Sequence, residues 1–267
     1  MSVQTLYTAA SGMTALETKL DTIANNLANI NTTAFKRARC NFENLFYRNY
    51  VLPGSQDALG NPTAVGVQVG LGSRVESIQT DFTQGNFINT NKQLDLAIEG
   101  QGLFQVQDPS GQILYTRAGN LNVNANGALV VGSASDGRLI EPNISIPQDT
   151  TGIVISPEGI VQVQQFGNPT LSQVGQLQLA QFINYEGLLK QAENLYAESN
   201  ASGPPIIGPP GTNGLGLVRQ NYLEASNVEP VNELIDLITT QRAFELNSQV
   251  IQASDQVLQL VANLRRF

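Results

Sequence analysis

The chain has 267 residues, with 14 basic and 22 acidic side chains and a formal net charge of -8; this allows one large domain or two ordinary ones and disfavours nucleic acid as a partner. It contains no histidine, no tryptophan and a single cysteine, Cys40, which excludes Ser-His-Asp and Cys-His catalysis, histidine-ligated zinc and any disulfide within the chain. Charged residues make up only 13%, about half the usual share, so the surface is polar mainly through amides, and no catalytic, cofactor or metal site is expected.

The first residues lack a basic segment followed by a continuous apolar one, so no cleaved signal peptide is expected, and no run approaches the roughly 18 apolar residues of a membrane helix. Leu6, Ala9, Met13, Leu16, Leu20, Ile23, Leu27 and Ile30 recur at spacings of 3 and 4. That pattern predicts an amphipathic helix over 1–30 with one coiled-coil-like seam, stopped by Asn29-Ile30-Asn31-Thr32-Thr33. Residues 31–70, with Pro53-Gly54 and Gly60-Asn61-Pro62, read as an irregular, extended connection.

Alternation then takes over through 71–189. Leu94 to Ile98, Phe104 to Val106, Leu121 to Val123, Ile144 to Ile146, Ile153 to Ile155, Val161 to Val163 and Leu177 to Leu179 each read as a half-buried strand. Asn126-Gly127, Asp136-Gly137 and Pro157-Glu158-Gly159 supply tight turns, so the middle is predicted to be an antiparallel β domain. Residues 190–229, with the proline stretch 203–210, form a second connecting region.

Pro230 suits the first turn of a helix, and the 3,4 spacing then predicts helix over 230–267. It carries two apolar stripes. Ala243, Leu246, Val250, Ala253, Val257, Leu260, Leu264 and Phe267 make one; Leu237, Phe244, Ile251 and Leu258 make the other, roughly 150° away around the axis. A third stripe, Gln249, Gln252, Gln256, Gln259 and Asn263, is entirely neutral amide and faces either solvent or the wall of a channel. The fold class is therefore α+β: a terminal helical domain (1–30 plus 230–267), a connecting region (31–70 plus 190–229) and a central β domain (71–189). Two helices cannot cover three seams between them, so apolar surface remains for another copy of the chain. The subunit interface is expected along the Leu6 to Ile30 seam and along both C-terminal stripes, at Leu237, Phe244, Leu246, Val250, Ile251, Val257, Leu258, Leu260 and Leu264. A seam that meets a different seam on the next copy builds a ring or a filament; a closed two-helix stalk on a monomeric protein is the alternative.

Three groups of residues carry a family resemblance. They are Leu6 to Met13 with Ile23 to Arg37, which includes Asn25, Asn26, Leu27, Asn29, Asn31, Phe35 and Lys36; Gln84-Gly85-Asn86, Leu94 to Phe104 and Tyr115 to Gly119; and Tyr222 to Val228 with Gln241 to Glu245. Together they resemble the flagellar basal-body rod proteins, in their distal rod branch, over essentially the whole chain; the hook protein or a proximal rod protein of the same axial family is the alternative. Ala34 stands where the family usually has glycine. The resemblance implies a structural subunit, self-assembled into a hollow shaft that transmits torque. It also implies export through the flagellar type III apparatus to the periplasm, with proximal rod, hook and the P-ring and L-ring bushing proteins as neighbours. Residues 45–68 look like the insertion that stiffens the distal rod.

Several local features have plainer readings. Asp95 and Glu99 alternate with Leu94, Leu96 and Ile98 and read as the solvated face of a strand rather than an acid/base pair. Lys36, Arg37, Arg39 and Arg48 form the one basic cluster, expected to be solvated or at a subunit contact. Gly100-Gln101-Gly102 reads as a turn, the proline stretch as a loop, and Cys40 as a packed side chain.

Overall fold

The computed structural model describes residues 3–54, 56, 65–135 and 137–264, apart from the side chains at 3, 168, 169, 262 and 264. Phe267 and the side chain of Leu264, both on the predicted stripe, lie outside the described residues. The molecule is α+β, with an N-terminal helix, a C-terminal helix and an antiparallel β region between them. It divides into two units: Met1–Ala28, Ala38–Thr80 and Glu229–Phe267 form the first, and Asn29–Arg37 and Asp81–Val228 the second. The connecting segments are shared between these units, most of 31–70 going to the helices and 190–228 to the β region.

In the first unit, helix α1 spans Val3–Ala28. Four of its threonines, Thr8, Thr14, Thr18 and Thr22, donate their hydroxyls to the carbonyl four residues back at 2.8–3.2 Å, so they can lie against neighbours without needing water. The helix stops before Ile30, which the periodicity had included. Thr32 N–H bonds the Asn29 carbonyl and the Thr32 hydroxyl bonds the Asn29 side chain, both at 3.1 Å, a turn that competes successfully with another helical residue. Helix α2 spans Pro230–Leu264, beginning on its proline as expected.

The two helices run antiparallel. Asn26 of α1 reaches Glu233 of α2, Gly12 lies against Asn247, and Thr5 and Leu6 share a groove with Val250, Ser254, Val257 and Leu258. Strand Ala38–Asn44 pairs antiparallel with Ser73–Thr80, alternating residues turned toward and away from α1. Gly72 (φ 122°) makes this approach possible, since a Cβ there would sit 2.1 Å from the Ser11 hydroxyl. A second hairpin, Tyr47–Val51 with Val67–Gly70, is almost wholly exposed.

The second unit is built on a nine-stranded sheet. Its central hairpin, Leu103–Gln107 with Ile113–Thr116, is buried on both faces. Strand alternation sends Phe104, Val106 and Leu114 into the main core with Leu96, Ile98, Leu129, Ile140, Val161, Val163 and Leu179. The residues between them, Leu103 and Tyr115, point the other way, into a smaller core with Phe182, Tyr196 and Phe82. There Tyr115 meets Phe182 edge-on at 4.8 Å between ring centres, a geometry worth about 0.5–1.5 kcal/mol beyond burial.

Four strand-level expectations need correction. Ile144 and Ile146 are buried as an alternating pair should be, but they form no strand and only Ser145 bridges, to Ala128. Leu177 and Leu179 are buried across a break between strands Asn168–Gln176 and Leu179–Gln181. Asp95 is not on a solvated face: it is 4% exposed, because it precedes strand Leu96–Glu99 and bridges Asn120 while its carbonyl accepts Asn221 N–H at 2.8 Å. Glu99 is exposed as predicted. The proline stretch is no plain loop either: Ile206–Gly208 pairs with Leu179–Gln181 as an edge strand. Pro204, Pro205, Pro209 and Pro210 flank it and keep further strands off.

Candidate functional site

Lys36 is 1% exposed. Its ammonium donates to Glu224 Oε1 at 2.6 Å and to the Thr83 carbonyl at 2.7 Å. On the other carboxylate oxygen, Arg117 Nε donates at 2.6 Å, while the rest of its guanidinium caps the carbonyls of Ile98, Gly100 and Gly102 at 2.5–2.9 Å. Two cations thus share one buried anion, with charge-assisted hydrogen bonds satisfying most of their donors. Burial pushes the Glu224 carboxyl up, but Arg117 and Lys36 together outweigh it and hold the group below its ordinary value. Burial lowers Lys36, and Glu224 offsets only part of this. The expected basic cluster is therefore dissolved: Lys36 leaves the surface to neutralise Glu224.

Around this centre the chain is laced by amides. Gln84 brackets the 98–100 turn, donating to Ile98 O at 2.7 Å and accepting from Gly100 N–H at 3.2 Å. Gly85 N–H donates to Glu224 Oε1 at 3.0 Å, and only glycine fits there, since a Cβ would lie 2.1 Å from Ala225 O. Asn227 accepts from Arg37 N–H at 2.7 Å and donates to the carbonyls of Asp81 and Thr83 at 2.9 and 3.1 Å. Ala34, which donates to Glu224 O at 2.8 Å, has a φ of 58°, the left-handed region where glycine is at ease. Segments 34–37, 81–86, 98–102, 117–119 and 224–227, far apart in sequence, meet at one place, and the arrangement contains no nucleophile with a base. It is a fastening, not a reaction centre.

Four of these five segments, all but 81–86, lie in or overlap stretches that match known families. Three family models match: "Flagella basal body rod protein" over residues 6–36, "Flagellar hook protein FlgE/F/G D1 domain" over 97–163, and "Flagellar basal body rod FlgEFG protein C-terminal" over 219–264. The chain is 46% identical to the flagellar basal-body rod protein FlgG of Caulobacter vibrioides over 264 residues, covering 98% of this chain and all of that one. It is 41% identical to the FlgG of Borreliella burgdorferi, over 99% of both chains. The FlgG of Bacillus subtilis is 36% identical, over 99% of this chain and all of its own.

The chain belongs to the FlgG family of flagellar basal-body rod proteins. It is a structural subunit of the distal rod and not an enzyme, and membership implies self-assembly and association with other flagellar components. Among the described residues, no helix is long and apolar enough to cross a membrane.

The remaining predicted residues sort by what covers them in one rod subunit. Along α2, Glu233, Leu237, Thr240, Phe244, Asn247, Ile251, Ser254 and Leu258, stepping by 4 and 3, are covered, together with Ala243 and Ser248 beside them. The predicted repeat of Leu237, Phe244, Ile251 and Leu258 is thus the side turned inward within the helical unit. Its polar neighbours are matched: Asn26 donates to Glu233 at 3.2 Å and Thr240 to Asp236 O at 2.6 Å. The other stripe is largely exposed: Leu246 is 62% and Leu260 63% exposed, Val250 and Val257 border the groove beside Thr5 and Leu6 yet remain 43% and 37% exposed, and Ala243 is half-buried. The amide stripe, Gln249, Gln252, Gln256, Gln259 and Asn263, is exposed throughout.

On α1, the innermost residues are Ala9, Ala15, Thr22, Ile23 and Asn26, while Leu6, Met13, Leu16, Leu20 and Leu27 are half-buried, as is Ile30 beyond the helix end. Of the motif residues, Asn26 does most. It pairs with both backbone groups of Ala38 at 2.9 Å, as a neighbouring strand would, and so ties the end of α1 to the start of a strand. Asn25 and Asn31 are exposed; Asn29 and Phe35 are half-buried. Sequence reasoning passed over Glu224, Arg117 and Asn227 as individual sites. The available signal was chemical: in a chain this poor in charge, an acid inside the alternating Tyr222-Leu223-Glu224 needs a cation.

Proposed function

We propose that copies of this chain polymerise through the uncovered stripe of α2 (Leu246, Val250, Val257, Leu260) into a rigid, hollow driveshaft that carries torque and lets export substrates pass. The observation that carries this reading is that the helical unit covers one α2 stripe and leaves most of the other exposed. Fully burying an exposed leucine or valine is worth roughly 1.5–3 kcal/mol, and association costs about 4–15 kcal/mol, so assembly needs many such contacts per subunit. In this reading the terminal helices (1–30, 230–267) form a coiled-coil-like inner tube and residues 71–189 the outer wall. Residues 31–70 and 190–229 connect them.

The exposed amide stripe supports a neutral, hydrated channel lining. The open hairpin around residues 45–68, with Phe46 88% exposed, supports a bridging role between subunits; residues 55 and 57–64 of that segment lie outside the described residues. Family membership supports a periplasm-spanning location, reached through the type III export apparatus without a cleaved signal. It also supports proximal rod proteins, the hook protein and the P-ring and L-ring proteins as neighbours. The test is a Leu246→Lys, Val257→Lys double variant, followed by static light scattering over a concentration series. A monomer with unchanged circular dichroism is expected; polymer formation equal to that of the parent would refute the assignment.

A further inference from the structure

Asparagine precedes glycine at Asn126-Gly127 and Asn213-Gly214. Such a pair can close on itself. The glycine nitrogen gives up its proton and attacks the asparagine Cγ, and ammonia leaves. Water then opens the resulting succinimide at either carbonyl, giving aspartate or isoaspartate. Glycine permits this because no side chain crowds the attacking nitrogen. The reaction requires that nitrogen to be free and the turn to be accessible.

The fold treats the two pairs differently. Gly127 is buried, and its N–H donates to the Asn124 carbonyl at 3.0 Å. The Asn124 side chain also holds Asn126 N–H at 3.0 Å and Ala128 N–H at 2.9 Å, so the whole turn is clamped. Asn213 and Gly214 are both exposed, with φ of 51° and 82°. Among the described residues nothing accepts a hydrogen bond from Gly214 N–H. The flanks, by contrast, are fixed: Leu215 N–H bonds Thr212 O at 2.8 Å and Gly216 N–H bonds Gln101 O at 2.7 Å.

We propose that Asn213 is a site of spontaneous deamidation, with water as co-reactant, and that the fold protects Asn126. The product places a carboxylate in an uncharged loop. As isoaspartate it also adds a carbon to the main chain of the turn that seats buried Leu215 against Gly102 and Gly208. An ageing subunit therefore gains charge and loses local packing at this one corner of the β unit, whether or not the assembly reading above holds.

The test uses the full-length chain, incubated at mildly alkaline pH and then digested with trypsin. Mass spectrometry follows the peptides 118–138 and 191–219, with fragment spectra locating the modified residue. In the folded protein Asn213 is expected to convert at least about fivefold faster than Asn126, the factor that one hydrogen bond on the attacking nitrogen accounts for. In concentrated urea the two rates should converge. Equal rates in the folded chain, faster conversion at Asn126, or a gap that survives unchanged in urea would each overturn the proposal.

Discussion

Replacing Glu224 by glutamine keeps the side-chain shape and removes the charge that Lys36 and Arg117 share. Glutamine can accept on one side only; on the other its NH2 meets a donor, so one cation loses both its hydrogen bond and its counter-charge. Removing one partner of a buried ion pair costs about 3–5 kcal/mol. Lys36→Met is the informative comparison, because it leaves Arg117 and Glu224 as a neutral pair, and the Thr83 carbonyl still accepts from Asn227 at 3.1 Å. That change should cost only about 1–2 kcal/mol. Urea unfolding followed by circular dichroism reads the difference. With a slope of about 1–3 kcal/mol per molar, Glu224→Gln should lower the midpoint by roughly 2 M and Lys36→Met by less than half of that. If Lys36→Met proves as damaging as Glu224→Gln, the shared-anion reasoning is wrong and the cluster acts through packing alone.

Acid should expose the same residue. Because Glu224 titrates below its ordinary value, its contribution is complete above the unfolded carboxylate value of about 4.3 and is lost as pH falls through the folded one. Urea midpoints measured from neutral pH downward should fall less steeply in Glu224→Gln than in the parent. Asn26→Asp should be at least as destabilising as Asn26→Ala, about 2–4 kcal/mol, because the carboxylate cannot donate to Ala38 O and lies beside Glu233; a thermal melt of the two variants checks the order. Gly72→Ala should open the contact between α1 and strand Ser73–Thr80, since the new methyl meets Ser11 in a backbone conformation disfavoured for alanine. Faster amide exchange across Ala38–Asn44 is the expected sign, and unchanged exchange would count against the close approach.

The helices and the β character of the middle were legible because they rest on periodicity, which one sequence displays directly. Leu237, Phe244, Ile251 and Leu258 announced a seam by spacing alone, and so did the second stripe that this seam leaves open. Which of the two would be covered was not legible, because that depends on Gly12, Asn26 and Thr5 meeting Asn247, Glu233 and Ser254 across the pair. Asp95 was misplaced because alternation assigns a face without saying where the strand begins. Lys36 was misplaced because a cation in a basic run looks solvated until its anion, 188 residues away at Glu224, is brought beside it. The motif residues were recognisable as a pattern; that Lys36 meets Glu224 and Arg117 in one buried fastening is a property of the fold.

The most direct test of the account is a cryo-electron reconstruction of the polymer formed by the full chain. It should place Leu246, Val250, Val257 and Leu260 in contact with a neighbouring subunit, with Gln252, Gln256 and Gln259 toward the lumen. A polymer in which those four apolar side chains remain in solvent would contradict it.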